Sequence, residues 1–145
     1  MLFRSKEASA EYVIGTRRGI SNRKPIIGQY DINREGSSDM YSKGANLLHT
    51  IRQLVKDDEL WRHTLRGLNK EFYHSTVTTG EIEEYISKSI GMDLSKVFDQ
   101  YLRDYRVPVF EYEITNGVLM YRWNNVIDGF DMPLEVIIDG ENTQL

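Results

Sequence analysis

Hydrophobic residues recur at helical spacing between residues 38 and 56, and polar residues fill the positions between them. This spacing predicts a helix with one apolar face. Asp39 precedes the pattern, and its short side chain suits an N-cap that accepts a hydrogen bond from a free N–H of the first turn. The apolar positions of the predicted helix are Met40, Gly44, Leu47, Leu48, Ile51, Leu54 and Val55.

Three further helices are predicted downstream. The first begins at residues 57–59, which are acidic and suit a first turn. The second begins at a capping box formed by Thr78 and Glu81 and ends at Gly91, and Asp93 caps the third. The residues expected to face inward are Leu60, Trp61, Thr64, Leu65, Leu68 and Phe72 in the first helix, Ile82, Tyr85, Ile86 and Ile90 in the second, and Leu94, Val97, Phe98, Tyr101 and Leu102 in the third.

The segment before residue 38 divides into a helix and an irregular connection. Residues 6–20 have a helical pattern that is weakened by two glycines. Residues 21–37 are rich in Pro, Gly, Asn and Ser, which predicts a long loop. The residues of the helix expected to face inward are Ala8, Tyr12 and Ile20.

The hydrophobic period changes to two after Pro108, and this change predicts strands. Asn116 and Gly117 lie between the first two strands and form the strongest short signal for a hairpin. The predicted strands are residues 109–114, 118–123 and 132–138, and residues 124–131 form a turn.

These elements predict a mainly α fold with a C-terminal antiparallel β segment. The helical part is residues 1–107 and the strand segment is residues 108–145. Three strands ending at Leu145 are typical of the beginning of a larger β-domain. An incomplete sheet leaves an open edge that can pair with another chain, so self-association through this edge is expected.

The composition narrows the classes of function. A net charge of −4 argues against a nucleic-acid partner. The chain has no cysteine, so a disulfide framework and a thiolate metal site are excluded. No apolar run approaches the roughly 20 residues that span a bilayer. A local basic cluster consists of Arg17, Arg18, Arg23 and Lys24. We interpret this cluster as a solvated helix end. The alternative is a site that binds phosphate or an acidic partner.

Tyr41 is the candidate catalytic residue, because it falls in the first turn of the central helix. Unpaired N–H groups and the positive end of the helix dipole favour negative charge at this place. A phenol remains protonated near neutral pH and can donate a hydrogen bond to an oxyanion. The alternative is a half-buried ring with a solvated hydroxyl group.

A resemblance to a known family supports the catalytic interpretation. Residues 39–45 (Asp-Met-Tyr-Ser-Lys-Gly-Ala), followed by an apolar helix and then Asp-Asp-Glu-Leu-Trp, resemble the zinc aminopeptidases of the alanyl aminopeptidase and leukotriene hydrolase family, which are gluzincins. The resemblance extends from about residue 7 to the C-terminus. It implies a helical subdomain of a thermolysin-like peptidase, followed by the first strands of a β-sandwich. It also implies that the Tyr41 hydroxyl faces a zinc-bound tetrahedral intermediate formed from a peptide substrate.

The zinc-binding motif of that family is absent from this chain. Its members bind zinc with a His-Glu-x-x-His helix and a glutamate of the next helix. The three histidines here are His49, His63 and His74, and no two of them have that spacing. The resemblance therefore implies that zinc belongs to the intact parent enzyme, that this chain binds none, and that the isolated chain is inactive. The alternative function is a non-catalytic helical module that binds a protein partner.

Overall fold

The structure is a computed structural model that describes residues 5–145. In this part of the chain, helices are followed by two antiparallel hairpins, so the fold is mixed α and β with the strands at the C-terminal end. The helices are α1 (Lys6–Gly15), α2 (Met40–Val55), α3 (Asp58–Glu71), α4 (Thr79–Ile90) and α5 (Ser95–Phe98). The strands are β1 (Val109–Thr115), β2 (Val118–Asn124), β3 (Glu135–Ile138) and β4 (Glu141–Gln144).

Local capping residues set several helix ends where the sequence predicts them. The Asp57 carboxylate accepts hydrogen bonds from the Glu59 and Leu60 N–H groups, at 2.9 and 3.0 Å, and begins α3. Both hydrogen bonds of the predicted Thr78–Glu81 capping box are formed at the start of α4. Gly91 ends α4 in the left-handed conformation, with a φ of 70°, which glycine adopts without steric cost.

Helix α5 begins one residue later than the predicted cap, Asp93, implies. Leu94 occupies the N-cap position, although the Asp93 carboxylate accepts a hydrogen bond from the Ser95 N–H at 2.9 Å. The α-helix is only one turn long and continues as a turn of π-helix, Asp99–Arg103. The inward face is nevertheless as predicted, because Leu94, Val97 and Phe98 are buried.

The hydrophobic core joins four helices to the C-terminal segment. Residues of α2, α3, α4 and the α5 region meet the turn between the two hairpins, so burial of apolar surface stabilises both parts together. Trp123 of β2 packs edge-on against Phe130, with ring centroids 5.5 Å apart. The buried core residues are Leu47, Ile51, Trp61, Ile86, Leu94, Val97, Phe98, Phe130 and Met132.

Helix α1 differs from its prediction. The α-helix ends at Gly15 and continues as a turn of 3-10 helix, Thr16–Gly19. Tyr12 is 60% exposed, so its predicted inward orientation is wrong. The physical reason is that α1 contacts α2 through polar groups, because the Asn46 side-chain amide donates to the Val13 carbonyl oxygen at 3.2 Å and to the Thr16 hydroxyl at 2.9 Å.

The connection between α1 and α2 is irregular, as predicted, but it is closely packed. The Ser37 N–H donates to the Pro25 carbonyl at 3.0 Å and closes the loop on itself. The Ile27 N–H donates to the Leu102 carbonyl at 2.9 Å and attaches the loop to the end of the helical part. A Cβ atom on Gly36 would lie 1.7 Å from the Ile26 carbonyl oxygen, so only glycine permits this close approach.

The strands form two separate sheets of two strands each. The predicted hairpin around Asn116 and Gly117 is confirmed, with Tyr112 paired to Tyr121. The predicted third strand, residues 132–138, begins only at Glu135 and pairs with β4, a strand that was not predicted. Met132, the predicted first residue of this strand, belongs instead to the core. No helix within residues 5–145 has the length and apolar character needed to cross a membrane.

Candidate functional site

Tyr41 lies in the first turn of α2, as the spacing predicts, and its side chain is 77% exposed. The ring is therefore not even half-buried, and the hydroxyl is outside the hydrophobic core. The N–H groups of this turn lack partners within the helix, so the environment favours negative charge beside the ring. A tyrosine at this place can donate a hydrogen bond to an anionic group that approaches from outside the chain.

One face of α2 beside Tyr41 is not covered by other described residues. Met40 and Leu48 are 41% and 42% exposed, whereas Leu47 and Ile51 of the same predicted stripe are buried. A Cβ atom on Gly44 would meet nothing within 4 Å. The apolar stripe of α2 is therefore wider than the core it contacts, and no residue in the described part of the chain covers its Tyr41 side.

Asp39 does not cap α2 with its side chain, which corrects the prediction. Its carboxylate turns away from the helix and accepts hydrogen bonds from the Ser21 N–H at 2.9 Å and the Asn22 N–H at 2.8 Å. The Ser21 hydroxyl lies 3.1 Å from both carboxylate oxygens. The physical reason is that two backbone N–H groups of the preceding loop need acceptors, and the buried Asp39 carboxylate supplies them in a partly buried place. Asp39 thereby positions this loop against the start of the Tyr41 helix.

The hydrogen bonds stabilise the charged form of Asp39. Burial by itself raises the pKa of the carboxyl group, but the hydrogen bonds from Ser21, Asn22 and Ser37 outweigh burial and hold the pKa below its usual value. A group whose pKa is lower in the folded protein stabilises the fold above its unfolded-state pKa, which is about 3.9 for aspartate. This stabilisation is lost as the pH falls through the folded-state pKa.

We expect the substitution Asp39→Asn to lower the free energy of unfolding at neutral pH by about 2 kcal/mol, because an amide has one acceptor oxygen and no charge for the N–H groups that the carboxylate accepts. Urea unfolding measures the change. The difference from the wild type should shrink below about pH 4, as the wild-type carboxyl becomes protonated. Asp128→Asn, at an exposed position, is the control and should change the free energy of unfolding only slightly. A difference that stays constant down to low pH would contradict the assigned role of the Asp39 charge.

Lys43 is the functional candidate that the sequence analysis missed. Its side chain is on the inner side of α2, is 6% exposed, and donates from Nζ to the Asp104 carbonyl oxygen at 3.0 Å. Burial lowers the pKa of the Lys43 ammonium, and the charges of Asp39 and Asp104 only partly oppose this effect. The contact joins the start of α2 to the segment that precedes β1, and a sequence separation of 61 residues gives no local signal for it.

A cleft of about 330 Å³ opens beside Lys43. Arg17 of the 3-10 turn and Arg106 also line the cleft, together with Asn46, whose Oδ1 accepts a hydrogen bond from Arg17 Nε at 2.8 Å. Tyr41 does not line this cleft. The four residues of the predicted basic cluster therefore do not share one site. Arg17 lines the cleft, whereas Arg18, Arg23 and Lys24 are exposed and do not line it.

The histidines do not form a metal site. His63 and His74 are exposed, and burial lowers the pKa of His49, with a further contribution from Arg52 and Arg17. Among residues 5–145, no group of three His, Cys, Asp or Glu side chains is placed to bind a metal ion. The described residues therefore do not fit the zinc that the resemblance implies, and ligands for it would have to come from other polypeptide.

Comparison with known proteins adds no relative. No protein-family model, no curated protein and no solved structure matches this chain. The position and surroundings of Tyr41 are accordingly the basis for inferring a function.

Proposed function

We propose that this chain is part of the catalytic domain, and the beginning of the following β-domain, of a zinc-dependent aminopeptidase. In this proposal Tyr41 donates a hydrogen bond from its hydroxyl to the oxyanion that forms when the N-terminal peptide bond of a substrate is attacked. The observation that supports it is the exposed phenol at the N-terminal end of α2, beside a helix face without a covering neighbour among the described residues. When bound by the rest of the domain, zinc would polarise the scissile carbonyl and activate water.

The uncovered face of α2 is consistent with a second body of polypeptide packed against this helix. Gly44 and Ala45 are small, so a neighbouring helix that carries the zinc ligands could approach closely between Tyr41 and Leu48. The exposed apolar side chains on this face of α2 are a surface that such a neighbouring helix would cover. Tyr41 would then lie at the boundary between the two bodies, where its hydroxyl could reach a substrate.

The first experiment is to read the gene upstream of Met1 and to express the longer reading frame, if it encodes His-Glu-x-x-His and a downstream glutamate. We expect this longer protein to hydrolyse alanyl- and leucyl-amides. The substitution Tyr41→Phe should lower kcat by roughly 10²–10³-fold without changing zinc content, because it removes one oxyanion donor. Steady-state kinetics and metal analysis of the two proteins provide the measurement.

Tyr73→Phe is the matched control, because Tyr73 is 74% exposed and lies in the turn after α3. It should leave kcat unchanged. A Tyr41→Phe enzyme with wild-type turnover would contradict the assigned role. The 145-residue chain alone, given zinc, should show no turnover; steady hydrolysis by the pure chain would contradict the view that the metal site lies elsewhere.

A second candidate is a non-catalytic interaction module, and the β1–β2 hairpin favours it. One face of this hairpin is apolar, because Ile114 pairs with Leu119, Tyr112 with Tyr121, and Phe110 with Trp123. Near the turn this face is uncovered, with Tyr112 and Ile114 67% and 66% exposed. Both outer edges of the two-stranded sheet are also unpaired within residues 5–145. Such a surface can associate with a second copy of the chain or with another protein.

Self-association through this hairpin predicts a concentration-dependent sedimentation coefficient for the 145-residue chain. Ile114→Lys should weaken the association by roughly tenfold or more, because it places a charge in the apolar face. Thr115→Lys places the same charge on the opposite face and should have a smaller effect. Equal behaviour of the two variants in sedimentation velocity would exclude the apolar face as the contact.

A further inference from the structure

The cleft beside Lys43 is lined by two positive side chains, Lys43 and Arg17, that form no direct ion pair with a carboxylate of residues 5–145. The Lys43 ammonium is buried, and its hydrogen bond goes to a neutral backbone carbonyl, that of Asp104. The Arg17 guanidinium donates to the neutral amide of Asn46. A lysine this deeply buried normally has an anionic partner, since removing its charge from water is costly.

The carboxylates of Asp39 and Asp104 act on the Lys43 charge, but both form their hydrogen bonds with other groups. Asp39 accepts from Ser21 and Asn22. The Asp104 carboxylate accepts three hydrogen bonds from the Arg106 guanidinium, the shortest of them 2.8 Å long between Nη2 and Oδ2. Arg106 is thereby paired with Asp104, whereas Lys43 and Arg17 line the cleft without forming an ion pair among residues 5–145.

The rest of the cleft wall is largely apolar. Ile20 lies on one side, and Val107 and Pro108 line it from the segment before β1. Tyr101 contributes a partly buried ring. A volume of about 330 Å³ is at the lower end of the range for small-molecule sites. A few charged groups placed in an apolar wall are the usual means by which such sites orient a ligand.

We propose that this cleft binds a small organic carboxylate with an apolar body. Lys43 and Arg17 hold the carboxylate, and Ile20, Val107 and Pro108 contact the body of the ligand. Charge-assisted hydrogen bonds from two different cations favour a carboxylate over a neutral group of the same shape. The proposal is independent of the peptidase proposal, because Tyr41 does not line the cleft.

The test is a titration of the 145-residue chain, followed by amide chemical shifts, with N-acetyl-leucine and with its neutral analogue N-acetyl-leucinamide. We expect saturable shifts around residues 17, 43 and 107 with the carboxylate, and a Kd of about 1 mM or below. The amide should bind roughly tenfold more weakly or not measurably, since it lacks the charge that the two cations attract.

Arg17 is the position to change, because it is exposed, whereas Lys43 is buried and holds the Asp104 backbone. Arg17→Gln should weaken binding of the carboxylate by roughly tenfold, since it removes a charge-assisted hydrogen bond. Arg18→Gln removes the same charge from the same 3-10 turn, but Arg18 does not line the cleft. The Arg18→Gln variant should therefore bind N-acetyl-leucine with the Kd of the wild type.

Three results would overturn the proposal. The first is the absence of saturable shifts with N-acetyl-leucine up to about 10 mM, which would leave no specific site of useful affinity. The second is equal affinity for the carboxylate and the amide. The third is an equal loss of affinity in Arg17→Gln and Arg18→Gln, which would indicate that the ligand is attracted by the overall positive charge of the 3-10 turn.

Discussion

Replacing Phe98 with alanine is expected to lower the free energy of unfolding by about 4 kcal/mol. Phe98 is 3% exposed and belongs to the same buried cluster as Leu94, Phe130 and Met132. Truncating a buried phenylalanine removes its transfer free energy and leaves a cavity that the surroundings fill only in part. Urea unfolding followed by far-UV circular dichroism gives the magnitude.

The same experiment tests whether the helices and the C-terminal segment unfold together. Phe98 and Phe130 share one core, so tryptophan fluorescence and circular dichroism should report the same transition in the wild type and in Phe98→Ala. Tyr73→Ala, at a 74% exposed position, is the control and should change stability by less than about 0.5 kcal/mol. Two separated transitions would show that the core is not shared in solution.

Replacing Gln100 with leucine is expected to cost about 3 kcal/mol, although leucine has a similar size and is more apolar. Gln100 is fully buried at 0% exposure. Its Nε2 donates to the Arg106 carbonyl oxygen at 2.8 Å, and its Oε1 accepts from the Ile127 N–H at 2.7 Å. Leucine would leave both backbone groups without partners in the interior, and each such group carries a desolvation penalty.

The substitution Gln100→Leu should weaken the segment around Ile127 locally, in addition to lowering the stability of the whole fold. The Ile127 amide should exchange its hydrogen at least roughly tenfold faster in Gln100→Leu, because the opening of this segment becomes easier. Gln53→Leu, at an exposed position of α2, is the matched control, and its free energy of unfolding should stay within about 0.5 kcal/mol of the wild-type value. Unchanged stability of Gln100→Leu would mean that the two backbone groups find other partners.

Much of the secondary structure follows from local chemistry. The Asp57 cap, the Thr78–Glu81 capping box and the Gly91 stop depend on residues within one helical turn of each other, so they can be inferred before any tertiary contact is known. The hairpin at Asn116 and Gly117 is equally local. The missed hairpin between β3 and β4 had a similar signal, because Asp139 and Gly140 adopt positive φ angles of 51° and 87° and Asp-Gly is typical of such turns.

The candidate site could be inferred only in part. The helical period places Tyr41 in a first turn, and the structure places it there with its ring exposed. The same pattern could not show that Met40 and Leu48 stay uncovered while Leu47 and Ile51 are buried, because periodicity indicates which positions share a face and not what packs against it.

By itself the sequence determined where most helices and turns begin and end, since those signals act over three or four residues. Only the tertiary structure decided what Asp39, Lys43 and Gln100 do. Each of them is polar and buried, and each has a partner at a long sequence separation, of 18, 61 and 27 residues respectively, which no spacing rule anticipates. The physical reason is that a buried polar group must find a hydrogen-bond partner, and the partner is chosen by how the elements pack rather than by the neighbouring residues.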